Sequence, residues 1–592
     1  MKKVGVCVLF WFLLFPVFVL AQQNAVPLPE VVVTASRIKE TQTASSVTVI
    51  TAKELKAQGV TNVVDALREV PGVIVTQNGF GGTASVYVRG GDNGQAVIMI
   101  DGVPVYDPSG PNKGDFSAFL PHLSVADIDR IEIVRGPQSV LYGSSAMTGV
   151  INIITKKGKG KPQTTARLEG GSFNTFTETL GLSGANENVS YNLNLGRFDS
   201  SGISKTPDEP DKDGYRFNNA GGSLTAHINE KVEIGTSFSY LDAEQGLDGW
   251  DDFEKDRLEF VQTYYKQKIL PRWQHTLKLA YTGTHRTYPS SASFYDGDLY
   301  FLSWQHNVNI LPDLKFIGGF DYQQERANTK WMDEKTQDER AWFGEMVFDW
   351  QNVYFNAGVR YDRHQTAGDK VTYRLAGSYL LPTETRLHAS FGTGFRAPSL
   401  YQLYGSYGNP DLKPEKSQGY DVGISQSFLN ERVKADVTYF FNWLRDEIDW
   451  INNQYVNTSK SHIQGVELNV AATPLACLKI QLFYTWLNAK DVTRHTWLLK
   501  RPHHRGGFEL TYFLPHKRGT VDFRGIYTDR YYDYGQVLVP SYFVAYVSAR
   551  CRLSSHLSVL TRVNNLFNAH YQETYGYNTM PFNLYGGIEF KW

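Results

Sequence analysis

The chain has 592 residues, of which 42% are hydrophobic and 14% aromatic, and it carries a formal net charge of -1 with a mean hydropathy of -0.35. This balanced charge provides no basic face, so we expect no nucleic-acid partner. A chain of this length usually divides into two or more soluble domains, although one very large sheet closed on itself is an alternative.

Residues 1–21 have the layout of a secretory signal peptide. Two lysines precede an apolar run from Val4 to Leu20, and the small residue Ala21 follows at once. This pattern predicts cleavage after Ala21. A retained membrane anchor is the alternative, because a run of about 17 apolar residues is at the lower limit for a spanning helix.

Residues 22–37 form a short N-terminal segment that includes "PEVVVTASR". Its three valines, Val31–Val33, are β-branched and favour an extended strand. An exposed strand of this kind can add to the edge of a partner's sheet through main-chain hydrogen bonds. The alternative is an ordinary first strand of the domain that follows.

Residues 38–158 combine helical and strand patterns. The stretch "TAKELKAQGVTNVVDALREVPGV" predicts two short helices that end before Pro71-Gly72. The runs "ASVYVRG", "AVIMIDGVPV", "IDRIEIVRG" and "GVINIIT" then predict strands. Together these patterns predict a small α/β domain.

From residue 159 to residue 592 the helical patterns disappear and one alternating strand follows another. In Val433–Trp443 the odd positions are apolar and end in aromatics, whereas most even positions are polar. A soluble sandwich shares this period of two, but runs of about 9 to 11 residues with aromatic ends are typical of membrane-spanning strands. We therefore predict a 22-stranded antiparallel transmembrane β-barrel whose wide lumen the α/β domain plugs.

Several motifs resemble those of the TonB-dependent outer-membrane transporters. They are "PEVVVTASR", "DALREVPGVIVTQNG", "VYVRGG", "IDRIEIVRGPQSVLYGSSAMTGVINIIT", "IQGVELN" and "LKRPHHR". The resemblance implies a multi-pass barrel in the outer membrane of a Gram-negative bacterium, driven by the inner-membrane TonB system. It also implies a TonB box that the periplasmic domain of TonB would bind, formed by Glu30, Val31, Val32, Val33, Thr34 and Ala35.

Within this family the stretches "LYGSYGNPDLKPEKS" and "NLFNAHYQETYGY" are similar to those of the vitamin B12 (cobalamin) transporters. The resemblance implies uptake of cobalamin or a related corrinoid; uptake of an iron chelate, either a siderophore or haem, is the alternative. We expect outer-membrane lipid around the barrel and leave open a surface lipoprotein as a further partner. Since no nucleophile, base and acid stand at a credible spacing, we expect neither an enzyme nor a catalytic cofactor.

Two outward loops of the plug, "QNGFGGTAS" and "VYDPSGPNKGD", correspond to the loops that contact substrate in the cobalamin transporters. The glycines would let backbone groups approach a bulky ligand closely. A solvated loop with incidental aromatics is the alternative. The candidate ligand-binding residues are Asn78, Phe80, Tyr106, Asp107 and Asn112.

Charged residues also occur in apolar surroundings inside the plug. Isolated buried charges are costly, so they need partners. The resemblance implies that Arg89 and Arg135 face two barrel glutamates, Glu415 and Glu467. Such pairs could hold the plug and separate under force, or they could simply satisfy one another.

The outer loop in "RFDSSGISKTPDEPDKDGYRF" and the outer loop after it are rich in aspartate. Clustered carboxylate oxygens suit calcium, although the spacing is not that of an EF-hand. The resemblance to cobalamin transporters implies a calcium site here, matched best by Asp211 and Asp213; a solvated acidic loop is the alternative. The candidate calcium ligands are Asp199, Asp211, Asp213 and Asp242.

Overall fold

The computed structural model describes residues 44–249 and 251–592, together with two short strands, β1 (Val32–Val33) and β2 (Ile38–Lys39), which pair antiparallel. The predicted signal peptide lies outside the described residues, as do Glu30, Val31, Thr34 and Ala35 of the predicted TonB box. Within the box, therefore, only the strand at Val32–Val33 is seen.

The α/β plug contains short strands and short helices. Its elements are β3 (Val47–Thr51), α1 (Ala52–Gln58), α2 (Val63–Leu67), β4 (Val73–Gln77), β5 (Ala84–Val88), β6 (Ala96–Ile100), β7 (Val103–Pro104), β8 (Ile128–Arg135), α3 (Ser139–Tyr142) and β9 (Gly149–Thr155). Five strands form one sheet with the order β3-β8-β9-β6-β7, in which β6 and β9 run parallel, and β4 and β5 form a separate hairpin.

The two predicted helices begin at side-chain caps. The Thr51 hydroxyl accepts a hydrogen bond from the Glu54 backbone N–H while the Glu54 carboxylate accepts one from the Thr51 backbone N–H, which forms a capping box. Gly59, in the left-handed conformation at φ 67°, ends α1, and the Asn62 side chain caps α2. Both helices are therefore specified locally.

Twenty-two antiparallel strands close the barrel around the plug, which confirms the predicted fold class. They are β10 (Gln163–Gly171), β11 (Thr175–Ala185), β12 (Val189–Ser200), β13 (Tyr215–Asn229), β14 (Val232–Gly246), β15 (Phe253–Leu270), β16 (Trp273–Tyr288), β17 (Ser293–Leu311), β18 (Leu314–Thr329), β19 (Met332–Trp350), β20 (Val353–His364), β21 (Gly368–Leu380), β22 (Thr385–Arg396), β23 (Glu415–Phe428), β24 (Val433–Ile451), β25 (Gln454–Leu475), β26 (Leu478–Asp491), β28 (His504–Phe513), β29 (Gly519–Thr528), β32 (Tyr542–Arg552), β33 (Leu557–Asn564) and β34 (Asn583–Lys591).

The closing pair is β34 with β10, where Ile588 lies opposite Leu168. Short elements in the long connections complete the secondary structure; they are α4 (Leu400–Tyr404), β27 (Thr496–Trp497), β30 (Tyr531–Asp533) and β31 (Val537–Val539). Among the described residues, no helix is long and apolar enough to cross a membrane.

The two faces of the barrel wall differ as the alternation predicts. On β12, Leu193 and Leu195 are exposed on the outer face, whereas Asn192 and Asn194 are buried toward the plug. Apolar side chains from the plug, including Leu67 and Ile131, share one buried cluster with wall residues such as Leu258. The plug is thus packed into the lumen.

The two rims of the barrel differ in the length of their connections. Turns at 230–231, 271–272 and 312–313 join strands at one rim, while residues 201–214 and 565–582 are long connections at the other. Because barrels of this type have short periplasmic turns and longer extracellular loops, the long connections mark the outer side.

Candidate functional site

The first outward loop of the plug joins β4 to β5. The Asn78 amide group donates a hydrogen bond of 3.0 Å to the Thr83 hydroxyl, which closes the loop. Gly81 has φ +76°, and a Cβ atom there would lie 2.7 Å from the Tyr215 ring of the barrel wall. Glycine is therefore required at this position for the loop to pass the wall.

Phe80, at the tip of the same loop, is partly buried and packs against aromatic rings of the wall. Its ring centroid lies 6.2 Å from that of Phe198 and 5.5 Å from that of Tyr215, the second contact being edge to face. Phe80 also lines a cavity between plug and wall. The ring consequently offers an apolar surface at the outer end of that cavity.

The second outward loop is fixed to the wall by three of the predicted ligand-binding residues. The buried Tyr106 hydroxyl donates to Glu325, and the buried Asp107 carboxylate accepts from Arg286 Nε at 2.9 Å. The half-buried Asn112 accepts from the amide of Gln402, at 3.2 Å. All three side chains therefore anchor this loop to the barrel.

Lys113, in the same loop, is a buried charge that the sequence analysis did not single out. Its ammonium nitrogen lies 2.6 Å from Glu325, 3.8 Å from Glu339 and 3.0 Å from His364 Nε2. These partners stand on three barrel strands, β18, β19 and β20, more than 200 positions along the chain. No local pattern around Lys113 could have indicated them.

Arg89 is the centre of the buried contact between plug and barrel. Its guanidinium lies 2.5 Å from Asp421 and 2.9 Å from Glu467, and it donates to the Ser46 hydroxyl at 3.0 Å. Its carbon atom stands 4.6 Å from the centroid of the Phe440 ring. Burial alone would lower the pKa of Arg89, but the two carboxylates raise it above its ordinary value, so Arg89 stays charged.

Arg135 shares one of these carboxylates, because its Nε lies 3.1 Å from Glu467 Oε2. We refer to Arg89, Arg135, Asp421 and Glu467 as the lock. Asp421 is a partner that the sequence analysis did not name.

Glu415, expected as a partner of the plug arginines, binds elsewhere. Its carboxylate lies 2.6 Å from the guanidinium of Arg396, the residue directly opposite it in the strand register. From the plug it accepts a hydrogen bond of 3.0 Å, donated by the amide of Gln95. Glu415 stands at the outer end of β23, above the level of Arg89, and the inward residue at that level is Asp421.

Acidic side chains from two outer loops meet at one point. Carboxylate oxygens of Glu209, Asp211 and Asp248 all lie within 4.8 Å of one another. Asp248 Oδ1 is buried without a hydrogen-bond partner, whereas its Oδ2 accepts from Thr206. This is an arrangement of oxygen atoms that a cation could bridge.

The other predicted calcium ligands lie outside this group. Asp213 is buried and accepts from the Lys205 backbone N–H at 2.6 Å. Asp199 lies on β12, 3.6 Å from Arg197, and Asp242 lies on β14 opposite Arg257. Of the predicted set, only Asp211 belongs to the acidic cluster, which Glu209 and Asp248 complete.

A 22-stranded barrel whose lumen is filled by an N-terminal domain, held through buried ion pairs, defines a plugged receptor of the outer membrane. Residues 39–150 match the TonB-dependent receptor plug domain, and residues 163–566 match the family described as TonB dependent receptor-like, β-barrel. The chain belongs to the TonB-dependent receptor family. Its location is accordingly the outer membrane of a Gram-negative bacterium, and its family is one of receptors and transporters.

Relatives with curated names are similar over nearly the whole chain. The vitamin B12 transporter BtuB of Photobacterium profundum is 26% identical over 593 residues, covering 95% of both chains, and that of Vibrio cholerae is 27% identical over 620 residues, covering 98% of both. Among solved structures, the siderophore receptor PiuA of Acinetobacter baumannii has a TM-score of 0.81 at 16% identity, covering 96% of this chain and 99% of its own. A point mutant of the ferric enterobactin receptor PfeA of Pseudomonas aeruginosa has a TM-score of 0.81 at 18% identity, covering 95% of this chain and 100% of its own.

Proposed function

We propose that this chain takes up vitamin B12 or a related corrinoid across the outer membrane, driven by the inner-membrane TonB system. The observation that carries this proposal is the similarity to two vitamin B12 transporters over at least 95% of both chains. Uptake of an iron chelate is the second candidate, favoured by the likeness to siderophore receptors. That likeness is at 16% to 18% identity and supports the shared fold alone.

Energy would enter through the TonB box, Glu30 to Ala35. The strand at Val32–Val33 pairs with Ile38–Lys39, which supports an extended conformation for part of the box. An extended segment can pair with the sheet edge of the periplasmic domain of TonB. A pull on it would be resisted by the lock, whose buried ion pairs join the plug to β23 and β25.

The plug side of the ligand surface would be formed by Asn78, Phe80, Tyr106, Asp107 and Asn112. Phe80 supports this role with a ring that is only partly buried, and Asn78 shapes the loop that carries it. Tyr106 and Asp107 would act by holding the second loop against Glu325 and Arg286. The outer connections would cover the ligand from above, and they are also where a surface lipoprotein would dock.

Calcium would order those outer connections. Three carboxylates within 4.8 Å supply part of the six to eight oxygen ligands that calcium takes, and Asp248 Oδ1 is free to contribute. Glu209 and Asp211 come from one loop and Asp248 from the next, so a bound ion would join the two loops. Asp213, whose carboxylate already binds the Lys205 backbone, would support the first loop.

Calorimetric titration of the detergent-solubilised protein tests this assignment. Cyanocobalamin and a ferric siderophore are titrated separately, first with calcium and then with a chelator. We expect nanomolar binding of cyanocobalamin that weakens when calcium is removed. Binding of the ferric siderophore alone would replace the corrinoid proposal with iron uptake, and calcium-independent binding of cyanocobalamin would remove only the calcium site.

A further inference from the structure

Four exposed cations form a row near the outer ends of the neighbouring strands β23, β24, β25 and β26. Lys416 lies directly opposite Arg445 in the strand register, and Arg445 lies directly opposite Lys460. On the next strand, Lys490 lies opposite His462, which is two positions from Lys460. We call Lys416, Arg445, Lys460 and Lys490 the cationic row.

The cationic row lies on the face of the wall that is turned away from the plug. Successive side chains of a strand point to opposite faces of the sheet. Leu444 and Ser461, the neighbours of Arg445 and Lys460, are each 1% exposed and are buried on the lumen side. Arg445 and Lys460 therefore point outward, toward the lipid side of the barrel.

A belt of aromatic rings lies next to the cationic row, on its periplasmic side. Trp443 and His462 are opposite each other with ring centroids 6.3 Å apart, and the Phe441 ring lies 4.6 Å from that of Trp443. Trp443 is two positions from Arg445, so both point to the same face. Aromatic girdles of this kind mark the level where hydrocarbon gives way to lipid headgroups.

The height of the strand below the row agrees with this level. From Val433 to Trp443, β24 advances ten residues. At about 3.4 Å per residue and a tilt of about 40°, this run rises about 25 Å, which is the usual height of the apolar band of such barrels. Arg445 therefore stands just outside the hydrocarbon, at the depth of the headgroups.

The protein itself does not balance the charges of the row. Like charges directly opposite each other on neighbouring strands are destabilising. The Lys416 ammonium lies 3.0 Å from the Asp446 carboxylate, but among the residues that the structure describes Arg445, Lys460 and Lys490 form no ion pair. Four cations and one carboxylate leave an excess of three positive charges at this depth.

A second row of charges at the outer rim shows that such an excess is not required by the barrel. On β13, β14 and β15, Arg216 lies opposite Glu244, and Glu244 lies opposite Lys255. The two ion pairs measure 3.0 Å and 3.6 Å, so the signs alternate and the charges compensate one another. We call Arg216, Glu244 and Lys255 the alternating row. The cationic row, by contrast, needs an anion from outside the chain.

We propose that the cationic row binds the phosphate groups of a phosphorylated lipid of the outer leaflet. Arginine and lysine form strong, charge-assisted hydrogen bonds with phosphate oxygens. The aromatic belt next to the row offers apolar surface where the acyl chains of that lipid begin. A soluble anion would use the charges alone, whereas a lipid uses the charges and the belt together.

The width of the row indicates the kind of headgroup. Lys416 and Lys490 are separated by three strand intervals of about 4.8 Å each, so the row spans about 14 Å. This span suits a headgroup with two separated phosphates, such as the glucosamine disaccharide of lipid A. The inference goes beyond the proposed function and does not depend on which solute is taken up.

Native mass spectrometry of the full chain in detergent, titrated with bisphosphorylated lipid A, tests the proposal. The test variant is Arg445→Gln with Lys460→Gln, which removes two charges from the cationic row. The matched control is Arg216→Gln with Lys255→Gln, which removes the same two side-chain types from the alternating row. Insertion of each barrel is checked by its retained compact mobility on unheated gels.

We expect lipid A to bind the unaltered chain and the control equally, and to bind the test variant about tenfold more weakly, because two exposed charge pairs of modest strength are lost. Equal affinity for the test variant and the unaltered chain, or an equal loss in test and control, overturns the proposal. If the double variant does not insert, Lys460→Gln alone must still weaken binding.

Two further titrations identify the source of the phosphate. Lipid A stripped of its phosphates should bind at least tenfold more weakly than the bisphosphorylated form, and equal binding would overturn a phosphate site. Excess inorganic phosphate at constant ionic strength should leave lipid A bound, and its displacement would replace the lipid with a free anion. Cyanocobalamin binding should be the same in the test variant and the unaltered chain, so failure of the corrinoid proposal and failure of the lipid site are distinguishable.

Discussion

Replacement of Arg89 by alanine tests how strongly the lock holds the plug. The change leaves Asp421 and Glu467 buried, with side chains 2% and 3% exposed, and it removes the guanidinium from the face of Phe440. Breaking a buried ion pair by removing one partner costs about 3 to 5 kcal/mol. Glu467 keeps Arg135 as a partner at 3.1 Å, so we expect a value near the lower end, about 3 kcal/mol.

The assay is amide hydrogen exchange in detergent, followed by mass spectrometry of plug peptides. Since about 1.4 kcal/mol corresponds to a factor of ten, exchange from β5 and β8 should accelerate by about 100-fold while the barrel strands stay protected. Arg89→Lys, which keeps the charge and loses the bidentate contact with Glu467, should give an intermediate exchange rate. Unchanged exchange in Arg89→Ala would refute the reasoning, as would equal acceleration in plug and barrel.

Four further predictions concern separate parts of the molecule. Val32→Pro removes a backbone hydrogen-bond donor from the TonB box, so cellular uptake should be lost while ligand binding, measured by calorimetry, persists. The control Val32→Ile should transport normally, and lost binding in the proline variant would contradict this prediction. Phe80→Ala should weaken cyanocobalamin binding about tenfold, or about 1.4 kcal/mol, and Phe80→Leu less; equal affinities would exclude Phe80 from the ligand surface. Asp248→Asn should abolish the calcium dependence of that binding, and persistence of the dependence would place calcium elsewhere. Burial lowers the pKa of Lys205 to about 8, although the nearby Asp213 carboxylate raises it. Between pH 8 and the ordinary lysine pKa of 10.5 the folded loop releases this proton more readily than the unfolded loop does, so the resistance of the 201–214 loop to protease should rise across that range. Lys205→Met should be resistant throughout that range, and a parallel pH profile in this variant would refute the assignment.

The barrel could be predicted from alternation because lipid imposes a period of two on every strand. In β24 the odd residue Val437 faces outward, 39% exposed, and the even residues Thr438 and Asn442 are buried toward the plug. Phe440 breaks the alternation, since it is apolar on the inner face. Its partner is Arg89, more than 300 residues earlier in the chain, and no strand pattern contains that information.

Strand length was harder to predict. The expected runs of about 9 to 11 residues correspond to the part that crosses the bilayer. β24 has 19 residues and β25 has 22, because these strands continue beyond the bilayer, where alternation against lipid no longer marks them. The part of each strand that crosses the bilayer could be predicted from the sequence, whereas the part that extends beyond the bilayer depends on pairing with the neighbouring strand.

The ion pairs and the acidic cluster show the same limit. Glu467 and Glu415 are both buried glutamates, but only strand register sets Glu467 level with Arg89 and places Glu415 beside Arg396. The acidic cluster joins Asp211 to Asp248 across two connections, whereas Asp242 lies within a strand. Composition therefore indicated the acidic loops, whereas only tertiary contacts determine which carboxylates of those loops lie together.

Uptake of labelled cyanocobalamin by cells tests the central claim most directly. This chain would be the only corrinoid receptor in a Gram-negative host, with its TonB system present in one strain and deleted in the other. The account predicts accumulation against a concentration gradient when TonB is present and only surface binding when it is absent. No accumulation in either strain, or equal accumulation in both, would contradict TonB-driven uptake of a corrinoid by this chain.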